Sequence, residues 1–348
     1  MTDELESKRR TAPTLVDVAR AAGVSHQTVS RVINSSDAVS PETRAKVSEA
    51  IDRMGYRRNL GGWLLSSART RTLGVLAPAL IEYGPTRTVQ SVESAAAARG
   101  YRAVIATYAS GAGTLADALN HLIGYSVEGL LIVASTTETR RTLATLPSTL
   151  PVITVGRLGF HHELSIAIDQ ALGARLAVEH VADMGHRNIQ YLAGPPDYVD
   201  AQERQRSVCA AVGSRGLAMG PLLRGDWSAQ SGYRVAEQVH PATTAVICGN
   251  DQMALGLLAA LPAAGRRVPH DVSVIGFDDV PESAYFRPAL TTVRQDFGAL
   301  GRAAVATILE VIGGGQPSSR LITPSLTERA STARAKVHTG ATITVAAR

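Results

Sequence analysis

The chain has 348 residues, of which 45% are hydrophobic, enough for a small module beside a domain with a large core. It has no long apolar run, and MTDELESKRRTAP lacks the pattern of a signal peptide, so membrane insertion and secretion are not expected and a cytoplasmic, nucleoid-associated place is. The formal net charge is +5 and is uneven: residues 1–72 hold twelve Lys and Arg against eight Asp and Glu, an asymmetry that suits a polyanionic partner.

Residues 1–13 are polar and read as a flexible N-terminus. Thr14 is suited to N-cap a helix whose Leu15, Val18, Ala19 and Ala22 share one apolar face. Gly23 can take the left-handed conformation that stops it. Ser25 then caps a second helix, which turns Val29, Val32 and Ile33 inward and leaves His26, Gln27, Thr28, Ser30 and Arg31 on its other faces. A third helix opens with Ser40 as N-cap, Pro41 at its first position and Glu42 in its first turn. Its Ala45, Val47, Ile51 and Met54 are expected to close a small core before Gly55 ends it.

Two helices joined by a glycine turn suit placement of the second in a DNA major groove, its N-terminal residues at the base edges. Gln27 is suited to bidentate pairing with adenine, and Arg31 with the O6 and N7 of guanine. Ser25, Thr28, Ser30 and Asn34 suit phosphates, contacts that set register without reading sequence. An ordinary three-helix module with a solvated polar face is the alternative.

RRNLGGWLLSSARTRT follows as a linker with a short helix-capable centre. From Leu73, apolar strands alternate with amphipathic helices: LGVLAP, YRAVIATY, GLLIVA and LPVITVG in one series, then NIQYLAGP, AVICGND and VSVIGFDD in a second. Such series imply parallel sheets with right-handed crossovers, and two of them imply two α/β lobes with a cleft at the strands' carboxyl ends. Asn250 and Asp278 follow strands, Arg204 is expected to open the helix after LAGPPDYVDAQ, and Trp227 lies in the loop GDWSA. Polar groups for hydroxyls beside an apolar ring are what a sugar requires. Each has a plainer alternative: Asp278 and Asp279 as helix caps, Asn250 as a turn residue, Trp227 as core.

Little points to catalysis. There is no GxSxG elbow, P-loop or HExxH, and Cys209 and Cys248 read as buried free thiols. His161 and His162 are neighbours in a polar loop without further ligands at useful spacing, so no metal and no cofactor is expected.

Thr14 to Tyr56, with QTVSRVIN, resembles the DNA-binding headpiece of the LacI family of bacterial transcription regulators. GDWSAQSG from 225, NDQMALG from 250 and LTTVRQDF from 290 extend the similarity along nearly the whole chain. The resemblance implies a helix-turn-helix domain over 14–60, a hinge helix or linker over 61–72, and an effector-binding and dimerisation domain over 73–330. Within that domain it implies a first lobe of about 73–168 and 298–328, a second of about 169–297, and a C-terminal tail over 331–348. It implies DNA contacts by Thr14, Ser25, His26, Gln27, Thr28, Ser30, Arg31, Asn34 and Tyr56, with Leu65 as the apolar wedge that enters the minor groove. For the effector it implies Arg204, Asn250 and Asp278 on sugar hydroxyls, Trp227 and Phe297 in apolar contact, and Gln295 close by.

Departures from the family pattern carry information. His26-Gln27 stands where a Tyr-Gln pair opens the recognition helix, which points to a different operator. Gly61 and Gly62 each weaken a hinge helix by about 0.8–1 kcal/mol relative to Ala, so the hinge is expected to order only on DNA. Trp63 has no account beyond packing. Gly156 stands where an aspartate helps to bind ligand, Pro78 replaces a small hydroxyl residue and Ser110 an arginine, so the second-lobe half of the site is kept and the first-lobe half is not. The ending STARAKVHTGATITVAAR has no leucine heptads, so a homodimer rather than a tetramer is expected. The reading is a dimeric repressor of a pseudo-palindromic double-stranded operator, released by a sugar, plausibly a galactoside, bound between the lobes. A two-lobe sugar-binding protein or a sugar-processing enzyme without regulatory role is the alternative.

Overall fold

The computed structural model describes residues 13–33, 38–56, 69–79, 82–108, 115–133, 136, 150–157 and 164–336. Asn34, Gly61, Gly62, Trp63, Leu65, Ser110, His161 and His162 lie outside the described residues. The chain divides into two compact units, 1–70 and 71–348.

Among its described residues the first unit contains three helices, α1 (Leu15–Ala22), α2 (His26–Ile33) and α3 (Pro41–Met54). Thr14 and Asp17 form a reciprocal capping box, and Gly23 closes α1 at φ 66°. Ser40 accepts the amide of Thr43 at the start of α3, and Gly55 closes it at φ 61°. Val18, Val29 and Val47 are fully buried where the three helices meet, with Ala50 beside them. Ala45, expected in this core, is exposed: it lies two residues before Val47, on the opposite side of a helix with 3.6 residues per turn.

The second unit is built on two sheets. The first contains β1 (Thr72–Pro78), β2 (Arg102–Tyr108), β3 (Gly129–Val133), β4 (Val152–Val155), β5 (Ser165–Ile168) and β12 (Arg320–Ile322), in the order β12-β5-β4-β3-β1-β2. Its described pairings are all parallel. The second sheet contains β6 (Asn188–Ala193), β7 (Ala218–Met219), β8 (Leu223–Arg224), β9 (Ala245–Cys248), β10 (Ser273–Asp278), β11 (Thr291–Arg294) and β13 (Ser325–Thr327). Its order is β13-β11-β10-β9-β6-β7, with β8 also on β6, and only the β11–β13 pairing is antiparallel. Central strands such as GLLIV and AVIC are buried along their length because helices cover both faces, which is why they read as continuous apolar runs. Among the described residues, no helix is long and apolar enough to cross a membrane.

The chain passes between the sheets three times: after β5, after β11, and between β12 and β13. The second passage leads into the helix that begins at Phe297, whose ring packs in the first-lobe core. The third corrects the expected division. Residues 325–328 were placed in the first lobe, but β13 extends the second sheet at the free edge of β11. Residues from 331 onward, expected as a tail, continue across that lobe as far as they are described. Ser331 is fully buried, accepts the amide of Thr291 at 2.8 Å and donates to the carbonyl of Val274 at 2.6 Å. Arg329 pairs with Asp279 at 2.6 Å, and His186 lies 3.0 Å from the carbonyl of Ala333. A segment that satisfies an edge strand and buries polar side chains in this way belongs to the lobe it completes.

Candidate functional site

Two groups of residues carry chemistry. On the first unit, α2 presents His26, Gln27 and Arg31 exposed, with Thr28 and Ser30 half-buried beside them. The Ser25 hydroxyl accepts the Thr28 amide at 3.1 Å and lies 2.8 Å from the Thr28 hydroxyl, so it fixes the first turn of α2. Thr14 likewise caps α1, donating from its hydroxyl to Asp17 at 2.7 Å. Tyr56, expected on the DNA side, is 8% exposed and its ring packs into the three-helix core; it directly follows the terminating Gly55, where the chain turns back over Ile51.

On the second unit, a cavity of about 740 Å³, its open mouth included, lies between the carboxyl ends of the two sheets. Arg204, Trp227, Asn250, Asp278, Gln295 and Phe297 all line it. Strand ends supply the positions: Asp278 closes β10, Asn250 follows β9, and Gln295 follows β11. Arg204 projects from the helix Val199–Ser214, and Phe297 opens the helix Phe297–Ile312.

Arg204, Gln295 and Asp278 form one connected network through Gln170. The Arg204 guanidinium donates to Gln170 Oε1 at 2.7 Å and to the carbonyl of Gly249, and stacks 4.0 Å above the centre of the Phe277 ring. Gln170 Nε2 donates to Gln295 Oε1 at 3.0 Å and to Asp200 at 3.2 Å. Gln295 in turn donates to Asp278 Oδ1 at 2.5 Å. Burial pushes the Asp278 carboxyl up to about 6, against the opposing pull of Arg204 and the Gln295 hydrogen bond. Burial also raises the carboxyl of Asp200. Such a network binds by offering prearranged donors and acceptors to adjacent hydroxyls.

Backbone geometry supports these placements. Asp278 and Asp279 have φ of 121° and 55°, and Trp227 has φ 72°, conformations that cost about 1–3 kcal/mol each for residues with a side chain. Buried Asp251 holds the first of these turns, accepting the amide of Val280 at 2.8 Å and the Thr292 hydroxyl at 2.5 Å. Burial first, then the charge of Asp278, pushes the Asp251 carboxyl well above the usual carboxylate range. Asp279 faces away from this network, to Arg329 and Thr327. The adjacent pair therefore splits, one carboxylate to the cavity and one to the C-terminal strand.

Asn250 does both things that its position allows. Its Oδ1 accepts the Met253 amide at 2.9 Å as an N-cap, while its Nδ2 donates to the Trp227 carbonyl at 3.0 Å. The Trp227 indole lies flat on backbone without side chains: a Cβ on Gly194 would come 2.2 Å from the ring, and one on Gly249 3.2 Å. Tyr198 meets its edge, with ring centroids 5.7 Å apart.

Gln170, Asp200, Glu82, Tyr83 and Tyr198 also line the cavity and escaped the sequence reading. Gln170 had the one usable signal, its place two residues after the strand SIAI. Gly156 lines the cavity at φ 114°, and Pro78 is not in its lining. Among the described residues, no group of three His, Cys, Asp or Glu is placed to hold a metal ion.

A helix-turn-helix unit and a two-lobe binding domain in one chain define a ligand-responsive DNA-binding regulator. Residues 14–59 match the lacI family of bacterial regulatory proteins, and residues 178–332 match the periplasmic binding protein-like domain. The lactose operon repressor of Escherichia coli (strain K12) is 33% identical over 92% of this chain and 90% of its own length. A crystal structure of the lac repressor dimer bound to operator and the anti-inducer ONPF matches with a TM-score of 0.84 at 32% identity, over 93% of this chain and all of that one. The complex of the transcriptional regulator CelR with cellobiose matches with a TM-score of 0.69 at 32% identity, over 92% of this chain and 99% of that one. The chain belongs to the LacI family and is a transcription regulator rather than an enzyme.

Proposed function

We propose that this regulator is a homodimeric repressor that acts in the cytoplasm at the nucleoid, reads a pseudo-palindromic operator through α2, and is controlled by a neutral sugar bound between its lobes. The observation that carries the effector half is the convergence of Arg204, Trp227, Asn250, Asp278, Gln295 and Phe297 on one cavity. Arg204, Asn250, Asp278 and Gln295 suit adjacent hydroxyls, and Trp227 and Phe297 suit the C–H face of a sugar ring; a galactoside is the specific expectation. The sugar-bound relative named above supports that class.

In the DNA half, Gln27 and Arg31 read bases and His26 alters the preference at the start of the helix. Ser25, Thr28, Ser30 and Asn34 meet phosphates and Thr14 adds its capped helix end, while Leu65 in a hinge over 61–72 wedges the minor groove. Two such units match the two halves of the operator, as in the operator-bound dimer of the relative. An effector that prefers the lobe arrangement of the DNA-free state shifts the population toward release; equal affinity for both states would shift nothing. A gel-shift titration of the full-length protein on its upstream DNA with lactose, galactose and cellobiose tests the scheme. Release by at least one of them is expected, and binding unchanged at saturating concentrations of each would overturn sugar control.

A further inference from the structure

We propose that Glu82 is the first lobe's recognition carboxylate for the effector and that Tyr198, from the second lobe, is the residue that positions it. The assignment rests on the cavity being the effector site. Glu82 lines that cavity just before the helix Tyr83–Ala97, where it stands at the N-cap position without capping through its side chain. Its carboxylate instead reaches across the cleft: the Tyr198 hydroxyl donates to Glu82 Oε1 at 3.0 Å, over a sequence separation of 116 residues.

Tyr198 is itself fixed from both sides. Its backbone forms an isolated antiparallel bridge to Thr136 of the first lobe, and its ring meets the edge of Trp227 at the cavity wall. Burial, with Glu82 next, raises the phenol's pKa, so the hydroxyl keeps its proton and donates. A carboxylate has acceptor capacity for several hydrogens, so one bond from Tyr198 leaves room for ligand hydroxyls. Charge-assisted bonds of that kind are the strong ones.

Two further observations point the same way. Gly156 puts no side chain into the cavity from β4, and Thr88 spends its hydroxyl on the carbonyl of Gly84 at 2.8 Å. Glu82 is therefore the charged group that the first lobe offers among the described lining residues. Together with Asp200 and Asp278 it outnumbers Arg204, the one cation among the described lining residues, which favours a neutral polyhydroxyl ligand over its phosphorylated form.

Calorimetric titration of the full-length protein with glucose, galactose, lactose, cellobiose and glucose 6-phosphate tests this, with thermal melts to establish that each variant is folded. The wild type is expected to bind at least one neutral sugar and to give no heat with glucose 6-phosphate. Glu82→Gln keeps an acceptor for Tyr198 and removes the charge, so it should weaken that sugar about tenfold or more. Tyr198→Phe keeps the carboxylate and loses only its support, so a weakening of about threefold to fivefold is expected. Asp278→Asn reports the second lobe independently. Wild-type affinity in Glu82→Gln, with binding lost in Asp278→Asn, would overturn the role of Glu82 and leave the sugar reading standing. A loss in Tyr198→Phe as large as that in Glu82→Gln would make the pair a latch between lobes instead of a recognition group. Binding of glucose 6-phosphate by the wild type would overturn the charge argument, and no heat with any neutral sugar would overturn the sugar reading and the assignment with it.

Discussion

The two walls of the cavity follow opposite plans. The second lobe presents Arg204, Asn250, Asp278 and Gln295, all buried; Arg204, Gln295 and Asp278 are cross-bonded through Gln170, and Asn250 bonds to the Trp227 carbonyl. Among the described residues, the first lobe presents Tyr83, Val133, Val155, Ile168 and Leu300, with Tyr83 against the edge of Phe297 at 5.8 Å, and one carboxylate at Glu82. A preorganised polar wall has already met the cost of desolvating its groups and reads hydroxyl geometry closely. An apolar wall excludes water and tolerates changes of side chain of similar volume. That difference accounts for a family pattern visible in the second lobe and faint in the first.

The sharpest way to break the comparison is Arg204→Ala. It removes the donor to Gln170 and Gly249 and leaves Asp278 without its cation. Effector affinity should fall roughly 100-fold or more by calorimetry, with a loss of about 3–5 kcal/mol in urea unfolding. Unchanged affinity would mean that the polar wall is architecture alone.

Asp278 should impose a pH dependence that the apolar wall lacks. Its folded-state carboxyl stands at about 6 against an ordinary value of 3.8, so the folded state binds the proton more tightly. The resulting stability is fully present below pH 3.8 and is lost as pH rises through about 6, an effect of roughly 3 kcal/mol. Unfolding free energies measured across that interval should decline in the wild type and stay flatter in Asp278→Asn. Effector affinity should move the other way, rising as the carboxylate forms and becomes the stronger acceptor.

On the apolar wall, Phe297→Leu trims a ring that is 8% exposed. It should cost about 1–2 kcal/mol of stability and change effector affinity by no more than about threefold. A larger loss of affinity than of stability would show the first lobe reading its ligand as specifically as the second.

The smallest effect concerns the C-terminal segment on the second lobe. Burial lowers the pKa of His186 and of His180, so both contribute stability above pH 6.5 that is lost as pH falls below it. Their partners are Thr244, Ala333 and Thr332, each at 3.0 Å. Exchange protection of the Ala333 and Ala335 amides should therefore drop below pH 6.5 while that of the first-lobe strands does not.

Several of these features were legible in the residues themselves. Thr14, Gly23, Ser25, Ser40 and Gly55 delimit their helices by chemistry that acts within three or four residues. The resemblance along the second lobe brought out Arg204, Asn250 and Asp278, the last two at the carboxyl ends of the strands Ala245–Cys248 and Ser273–Asp278 and the first on the helix Val199–Ser214. The third passage between lobes was not legible, because Arg320–Ile322 and Ser325–Thr327 are three-residue strands without the length to show a period. Nor was the separation of Asp278 from Asp279, which depends on Arg329 arriving from 50 positions away.

What could be read from the residues alone is therefore local: where helices begin and end, which strands are buried, and which face of α2 is polar. Tertiary structure alone decided that Tyr56 belongs to a core, that residues 331–336 belong to the second lobe, and that Glu82 faces Tyr198 across the cleft. The physical reason is range. Caps and periodicities act over one turn or one pleat, whereas a cavity wall is set by which distant strand ends the crossovers bring together, and no short stretch of chain contains that choice.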